Sequence, residues 1–302
     1  MRFDNFDLNL LVALDALLAH CSVTRAAEQL NVTQSAMSAA LKRLRLAFGD
    51  ELLVQSGRSM VPTASAMQLA PLVREELLRI RSLVSSATAF EPATSDRKFR
   101  IAASDYITTV LLVPLQRRLA RLAPGVCLDI VLPTTVTADR LDQGEFDLML
   151  TPREFAAEDH PFDLIFEERQ VVVGCRENPL LASPLSLGDF VGAGHVAVRI
   201  DGRKTFIENA LGEMGLAVRT EVIAPSFIQV PHFLPGTLRL ALMHERLARH
   251  MAQFLPLAIA APPVAIPVMQ EVAQYHAARA GDAGLAWLRG LIAEQVRALQ
   301  PA

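Results

Sequence analysis

Two helical stretches separated by only two residues constrain this chain more than any other feature of it. Ser22 starts the first, from about Val23 to Leu30, and Thr33 starts the second, from about Gln34 to Ala47. Hydroxyl side chains suit both starts because they accept from amides that the first helical turn leaves unpaired. Only Asn31 and Val32 lie between, and a turn that short makes the helices cross steeply. The residues that must then touch are apolar or small: Ala26, Leu30, Val32, Met37 and Ala40, with Ala27 at the closest approach. Asn31 belongs to the few non-glycine types that tolerate left-handed backbone. The pattern is a helix-turn-helix.

The second helix of such a pair can enter a major groove of DNA, and charge tests the idea. The whole chain carries 29 Lys plus Arg against 32 Asp plus Glu, a net of -3, which by itself argues against nucleic acid. Location reverses that argument. Residues 29–74 hold Lys42, Arg43, Arg45, Arg58 and Arg74 against only Asp50 and Glu51, so the acidic excess belongs to the remainder. No acid occurs from Gln29 to Gly49, which favours DNA over a merely solvated basic face. Gln34 can pair with an adenine edge, and Thr33, Ser35 and Ser38 can serve bases or phosphates. Lys42, Arg43, Arg45 and Arg58 suit phosphates, supplying position rather than sequence readout.

Around this motif, Asp7 is a good N-cap for a preceding helix carrying Leu10, Leu11, Leu14, Leu17 and Leu18. Asp50 to Pro62 reads as a hairpin, or wing, turning at Gln55-Ser56-Gly57-Arg58-Ser59. A long helix starts at Thr63, with Ala66, Ala70, Val73, Leu77, Ile80, Val84 and Ala87 spaced alternately four and three apart. That is a heptad seam, suited either to a second copy of the chain or to its own module's core; length and flanks favour the second copy. Pro71 should loosen the helix locally. Phe90 to Ser95 reads as a linker or hinge.

From Phe99 the period changes to strands alternating with helices, the pattern of βαβ units, and a second strand-rich section runs from about Leu164 to Ala261. The coarse reading is α/β with an N-terminal all-α winged helix-turn-helix. Residues 250 to 270 lack charge, but Pro256, Pro262, Pro263 and Pro267 break them, so two buried strands joined by a proline turn fit better than a membrane span. Asp4, Asp7 and Asp15 disfavour a signal peptide, and a cytoplasmic protein is expected. Cys21, Cys127 and Cys175 lie far apart with no partner at ligand spacing, so neither a disulfide framework nor a metal site is expected. No GxSxG, P-loop, HExxH or GxGxxG motif points to an enzyme.

The residues resemble the LysR-type transcriptional regulators. Asp7-Leu8-Asn9-Leu10-Leu11, Thr24-Arg25-Ala26-Ala27-Glu28-Gln29-Leu30, Thr33-Gln34-Ser35-Ala36-Met37-Ser38 and the turn into Val61-Pro62-Thr63 carry the resemblance. Arg2-Phe3, Leu10 to Leu17, Leu41 to Arg45, Phe48 to Leu52 and Val173-Gly174-Cys175-Arg176 are most similar to the nodulation-activator (NodD-like) branch, whose relatives sense flavonoids or regulate chlorinated-phenol breakdown. Two positions depart, since many members carry Glu where Arg45 stands and Phe where Leu53 stands. The resemblance implies an activator with a DNA-binding domain over 1–62 and a linker helix over 63–90 that pairs subunits into a homodimer or homotetramer. Regulatory lobe I would span 91–163 and 267–302, lobe II 164–266, both resembling periplasmic binding proteins. It adds Arg25 to the DNA-contacting set, RNA polymerase to the partners, and a small-molecule co-inducer as the only ligand.

Ligands of open α/β lobes sit beyond the carboxyl ends of strands. Those ends offer Ser104, Asp105 and Tyr106, then Pro133, Thr134 and Thr135, then Thr151, Pro152 and Arg153; the second lobe offers His195, Arg199, Phe206 and Phe227. The family's effector positions map onto Ser104, Thr134 or Thr135, Thr151 or Arg153, and Phe227. Hydroxyls with aromatic walls suit a small planar, weakly acidic molecule, aromatic or phenolic. Ser104 or Thr134 could instead cap a helix, His195 could be structural and Phe227 core. A solute-binding transport protein is the second reading, disfavoured by the helix-turn-helix.

Overall fold

In the computed structural model, which describes residues 6–57, 59–87 and 90–299, the chain forms two units, one from the residues up to 87 with 278–282 and one from 90–277 with 283–299. Asp7 opens the first. Its carboxylate accepts the Asn9 amide at 3.0 Å and starts α1 (Asn9–His20). Ser22 accepts from Arg25 to start α2 (Val23–Gln29), and Thr33 from Ala36 to start α3 (Gln34–Phe48). Asn31 adopts φ +53° in the turn between them. Leu14, Leu17, Ala26 and Leu44 are fully buried where the three helices meet.

The wing is β1 (Leu53–Ser56) paired antiparallel with β2 (Ser59–Pro62); Arg58 lies outside the described residues. Asp50 fixes its base, accepting the Leu52 amide at 2.7 Å and the Thr63 hydroxyl at 2.6 Å while Leu52 sits left-handed and wholly buried. Arg45, expected at a phosphate, belongs to this construction instead. Its guanidinium donates to the Glu51 and Leu53 carbonyls at 2.9 and 2.8 Å and pairs with the Glu51 carboxylate at 3.1 Å, tying α3 to the wing.

The helix α4 (Ala64–Ala87) corrects the seam expectation in its first half. Ala66, Val73 and Leu77 are buried in the unit's own core, because α4 packs along α1. Farther on, Val84 is 63% exposed and its neighbour Leu83 70%; the Ala87 side chain lies outside the description.

The second unit holds two lobes. Its first sheet has the order β4 (Cys127–Val131), β3 (Lys98–Ala103), β5 (Leu148–Pro152), β13 (Met269–Gln274), β6 (Phe162–Glu168). The first three strands are parallel and β13 runs antiparallel to both neighbours. Between β3 and β4 run α5 (Asp105–Ile107), a π turn at Thr108–Leu112 and α6 (Val113–Leu122). Pro114 cannot donate a backbone bond, and the wider turn just before it absorbs that loss. The remaining lobe I helices are α7 (Thr137–Asp142) and α11 (Ala283–Leu299).

The second sheet has the order β10 (Arg219–Ala224), β8 (Gly194–Ile200), β11 (Leu240–His244), β7 (Gln170–Cys175), β12 (Leu257–Ala260), with β9 (Arg203–Lys204) against β8. Its helices are α8 (Leu187–Gly192), α9 (Phe206–Glu213) and α10 (Glu245–Met251). The chain passes from lobe I to lobe II between Glu168 and Gln170 and returns between β12 and β13. Three expectations shift accordingly. The division at 163/164 falls inside β6, which pairs with β13 and stays in lobe I. The two strands about the proline turn belong to different sheets, so that turn is the return crossing. Phe90 is no free hinge residue, since its ring packs on Trp287 at 5.1 Å and Phe99 at 6.2 Å.

Removing the brace at Arg45 should weaken the wing. Arg45→Ala is expected to destabilise the N-terminal unit by about 1–3 kcal/mol, read as a lower urea midpoint. An unchanged midpoint would show that the brace is not formed in solution.

Candidate functional site

On α3 the outward row is Gln34, Ser35, Ser38 and Lys42, all exposed, with Arg43 beside it. Thr33 is committed to capping, and its hydroxyl also lies 2.9 Å from that of Ser35. Arg43 meets Asp7 at 3.4 Å, but that pair is exposed and worth about 0–1 kcal/mol, little enough for a phosphate to displace it. Arg25 donates to the His20 carbonyl at 2.7 Å, at the carboxyl end of α1 where the helix dipole favours a cation.

In the regulatory unit, Asp105, Asp201 and Glu168 each join the lobes. Asp105 of lobe I accepts from the Ser226 hydroxyl at 2.5 Å and from the Phe227 and Ile228 amides at 3.3 and 3.0 Å, so it caps a lobe II turn of 3-10 helix, Phe227–Phe233. Asp201 of lobe II accepts the Thr135 amide at 3.0 Å, which holds its carboxyl below the usual carboxylate range. A two-residue hairpin turn aims it, with Asp201 at φ +51° and Gly202 at φ +76° joining β8 to β9. Glu168, with no exposure, accepts from the Tyr106 hydroxyl of lobe I and from the backbone and guanidinium of Arg246 in lobe II.

These links frame a cavity of about 370 Å³ between the lobes, within the range of about 300–1,000 Å³ usual for small-molecule sites. Ser104, Thr134, Thr135 and Thr151 place hydroxyl-bearing residues on its lobe I side, and Phe206 and Phe227 line it from lobe II. Tyr106 stacks on His244 with ring centres 3.9 Å apart, and Phe227 meets both rings edge-on. Burial holds His244 neutral, its pKa pushed down to about 3, and raises the Tyr106 hydroxyl well above its ordinary value. Glu271, reaching the cavity from β13, is pushed well above the carboxylate range by burial and then by the nearby charge of Glu168.

Of the residues expected at the cleft, Ser104, Tyr106, Thr134, Thr135, Thr151, Phe206 and Phe227 line this cavity; Asp105, Arg153, His195 and Arg199 do not. Asp105 is the interlobe cap described above. The two-residue period of β8 sends Ile200 to the cavity and turns His195 and Arg199 to the opposite face. There His195 bonds the Phe190 carbonyl at 2.6 Å, and Arg199 pairs with Glu208 at 3.4 Å. Arg153 turns back over the Phe162 ring and donates to Gln270. Ser104 also caps α5, accepting from Ile107 at 3.3 Å, so capping and lining coexist there.

Among the cavity residues that escaped the sequence reading, His244 and Glu271 matter most to its chemistry. His244 ends β11, which runs parallel to β8, so the strand-end rule applied to lobe I would have found it. Glu271 carried a different signal: a lone acid within the otherwise uncharged strand Met269–Gln274. Among the described residues no cluster of His, Cys, Asp or Glu could hold a metal ion. No described helix is long and apolar enough to cross a membrane.

Comparison with known proteins places these features. Residues 8–67 match the model of the bacterial regulatory helix-turn-helix protein, lysR family, and residues 93–297 match the LysR substrate binding domain. The chain belongs to the LysR family. Nodulation protein D 2 of Rhizobium tropici is 40% identical over 297 residues, covering 98% of this chain and 94% of that protein. Nodulation protein D 2 of Sinorhizobium fredii is 42% identical over 299 residues, covering 98% and 95%. A probable transcriptional regulator from Pseudomonas aeruginosa superposes with TM-score 0.65 at 31% identity, covering 96% of this chain and 97% of that one. A full-length OxyR variant from the same species reaches 0.73 at 17% identity, over 97% and 95%, a likeness of fold. The chain is thus a LysR-type DNA-binding transcriptional regulator of the NodD-like activator branch, with an effector-binding domain, and not an enzyme.

The two buried titrating groups pull stability in opposite directions. Glu271 is raised in the folded state, so its contribution is complete below the unfolded carboxyl value of 4.5 and is lost as pH rises beyond it. His244 is depressed, so its contribution is complete above the unfolded value of 6.5 and is lost as pH falls toward about 3. Glu271→Gln keeps the shape without the titration, so its melting advantage over the unaltered chain should widen between about pH 5 and 8. A difference independent of pH would contradict a neutral Glu271.

Proposed function

We propose that this regulator activates transcription when a small aromatic or phenolic molecule occupies the cavity between its lobes. The observation that carries the reading is the ring cluster of Tyr106, His244 and Phe227, which lines one cavity between the lobes together with Thr134, Thr135 and Thr151. Ring faces and edges supply apolar contact to a planar ligand, and hydroxyls orient its polar substituent. Because Tyr106 belongs to lobe I and Phe227 and His244 to lobe II, a ligand lying against all three favours one arrangement of the lobes. Only such a preference lets a ligand shift the equilibrium.

On the DNA side, Gln34, Ser35 and Ser38 read base edges, while Lys42, Arg43, Arg25 and the wing's Arg58 hold phosphates. Thr33 acts by fixing the start of α3. A homodimer or homotetramer formed through the 63–90 helix presents paired recognition helices to a two-fold operator. The protein works in the cytoplasm beside RNA polymerase.

Phe227→Ala should abolish the response to an aromatic inducer in a reporter assay and leave operator affinity in a gel shift within about threefold. Loss of both together would sink the cavity assignment. For the DNA face, Lys42→Ala should reduce the slope of log affinity against log salt by about one, and Arg45→Ala should leave it unchanged. The reverse pattern would exchange the roles of those two cations.

A further inference from the structure

The floor of the cavity carries polar atoms that the protein itself leaves unused. Glu271 is 1% exposed and its Oε1 has no hydrogen-bond partner; His244 is 3% exposed and its Nδ1 has none. Both residues line the cavity, from different lobes. A buried donor or acceptor left unpaired costs about 1–3 kcal/mol, and such atoms are rare enough to call for a partner. A hydroxyl is the smallest group that serves both, because it donates one hydrogen bond and accepts others.

Charge narrows the ligand further. Arg246 on α10 is engaged by Glu168 and by the Glu167 carbonyl, and Glu168 on β6 already receives Tyr106 of α5 and Arg246. Gln170, opposite His244 on β7, is uncharged. Arg203 and Lys204 are exposed residues of β9, and Glu154 is an exposed acid on the lobe I side. The cations that line the cavity, Arg203 and Lys204, are exposed, so an anion drawn into contact with Glu271 would be desolvated beside two carboxyl groups, which is costly.

We infer that the floor selects its ligand by ionisation state, holding one un-ionised hydroxyl of an aromatic ring between Glu271 and His244 and rejecting carboxylates and phenolates. The inference rests on the aromatic reading of the cavity and adds the ligand's charge. Glu271 acts as a neutral acid, donating or accepting as the ligand requires, and His244 stays an uncharged imidazole. Burial of both groups, with Glu168 beside Glu271, favours the uncharged form of each.

The test uses the full chain and a dye that reports its own ionisation, 4-nitrophenol, at a pH where the free dye is mostly the yellow phenolate. Binding should bleach the phenolate band, because the bound dye takes up a proton. The matched anion 4-nitrobenzoate should bind at least about tenfold more weakly. Glu271→Gln, which keeps a neutral donor and acceptor, should hold dye affinity within about threefold, and Glu271→Leu should lose about tenfold. A phenolate band that persists or grows on binding, or 4-nitrobenzoate binding as tightly as the phenol, overturns the inference and leaves the aromatic reading intact. Affinity lost equally in Glu271→Gln and Glu271→Leu, with melting curves unchanged, overturns the neutral-acid role. Failure of both compounds to bind at millimolar concentration removes the aromatic reading, and this inference with it. The spectral change in the unaltered chain stands even if a variant does not fold.

Discussion

A carboxylate with no access to water, Glu168, organises the regulatory unit. It ends β6 just where the chain leaves lobe I, and it takes hydrogen bonds from Tyr106 on one side and from Arg246 on the other. A buried charge without partners costs several kcal/mol, so its donors are held closely in place. Fixing Tyr106 in turn fixes what leans on it: the stacked ring of His244 and the edge of Phe227. The same charge disfavours ionisation of Glu271. Cavity shape and cavity polarity therefore follow from one desolvated group at the lobe crossing.

The other two links act at the margins of that centre. Asp105 caps a turn belonging to the opposite lobe, and Asp201 reaches Thr135 from a hairpin whose left-handed backbone aims it. Both place a carboxylate of one lobe on amide donors of the other, contacts that hold only over a narrow range of distance and angle. Opening the lobes breaks them, and a ligand seated on Tyr106, His244 and Phe227 favours keeping them. That differential is the physical content of an effector response.

Much of this was legible in sequence where a rule is local. Helix starts at Ser22 and Thr33, the left-handed Asn31 and the strand ends at Ser104 and Thr134 depend on neighbours within a few residues. Readings went astray where partners come from far along the chain. The spacing of Ala66, Val73 and Leu77 is equally good for a partner chain or for α1, and only the fold shows that α1 takes them. Arg45 looks like any other basic residue of α3 until the wing folds back beneath it. His195 and Arg199 were misplaced by not following the alternation along β8, which sends Ile200 alone of the three to the cavity. Glu271 lies over a hundred residues beyond Glu168 and becomes its neighbour only because β13 returns to pair with β6.

The central claim, that occupancy of the cavity is read through the contacts joining the lobes, meets its most direct test in amide hydrogen exchange of the full chain with and without a bound phenol. The Phe227 and Ile228 amides, which donate to Asp105, and the Thr135 amide, which donates to Asp201, are the reporters. Slower exchange at all three on ligand binding, with α1 to α3 unaffected in the absence of DNA, is the result this account predicts. Unchanged or faster exchange at those amides, with the ligand demonstrably bound, would contradict it.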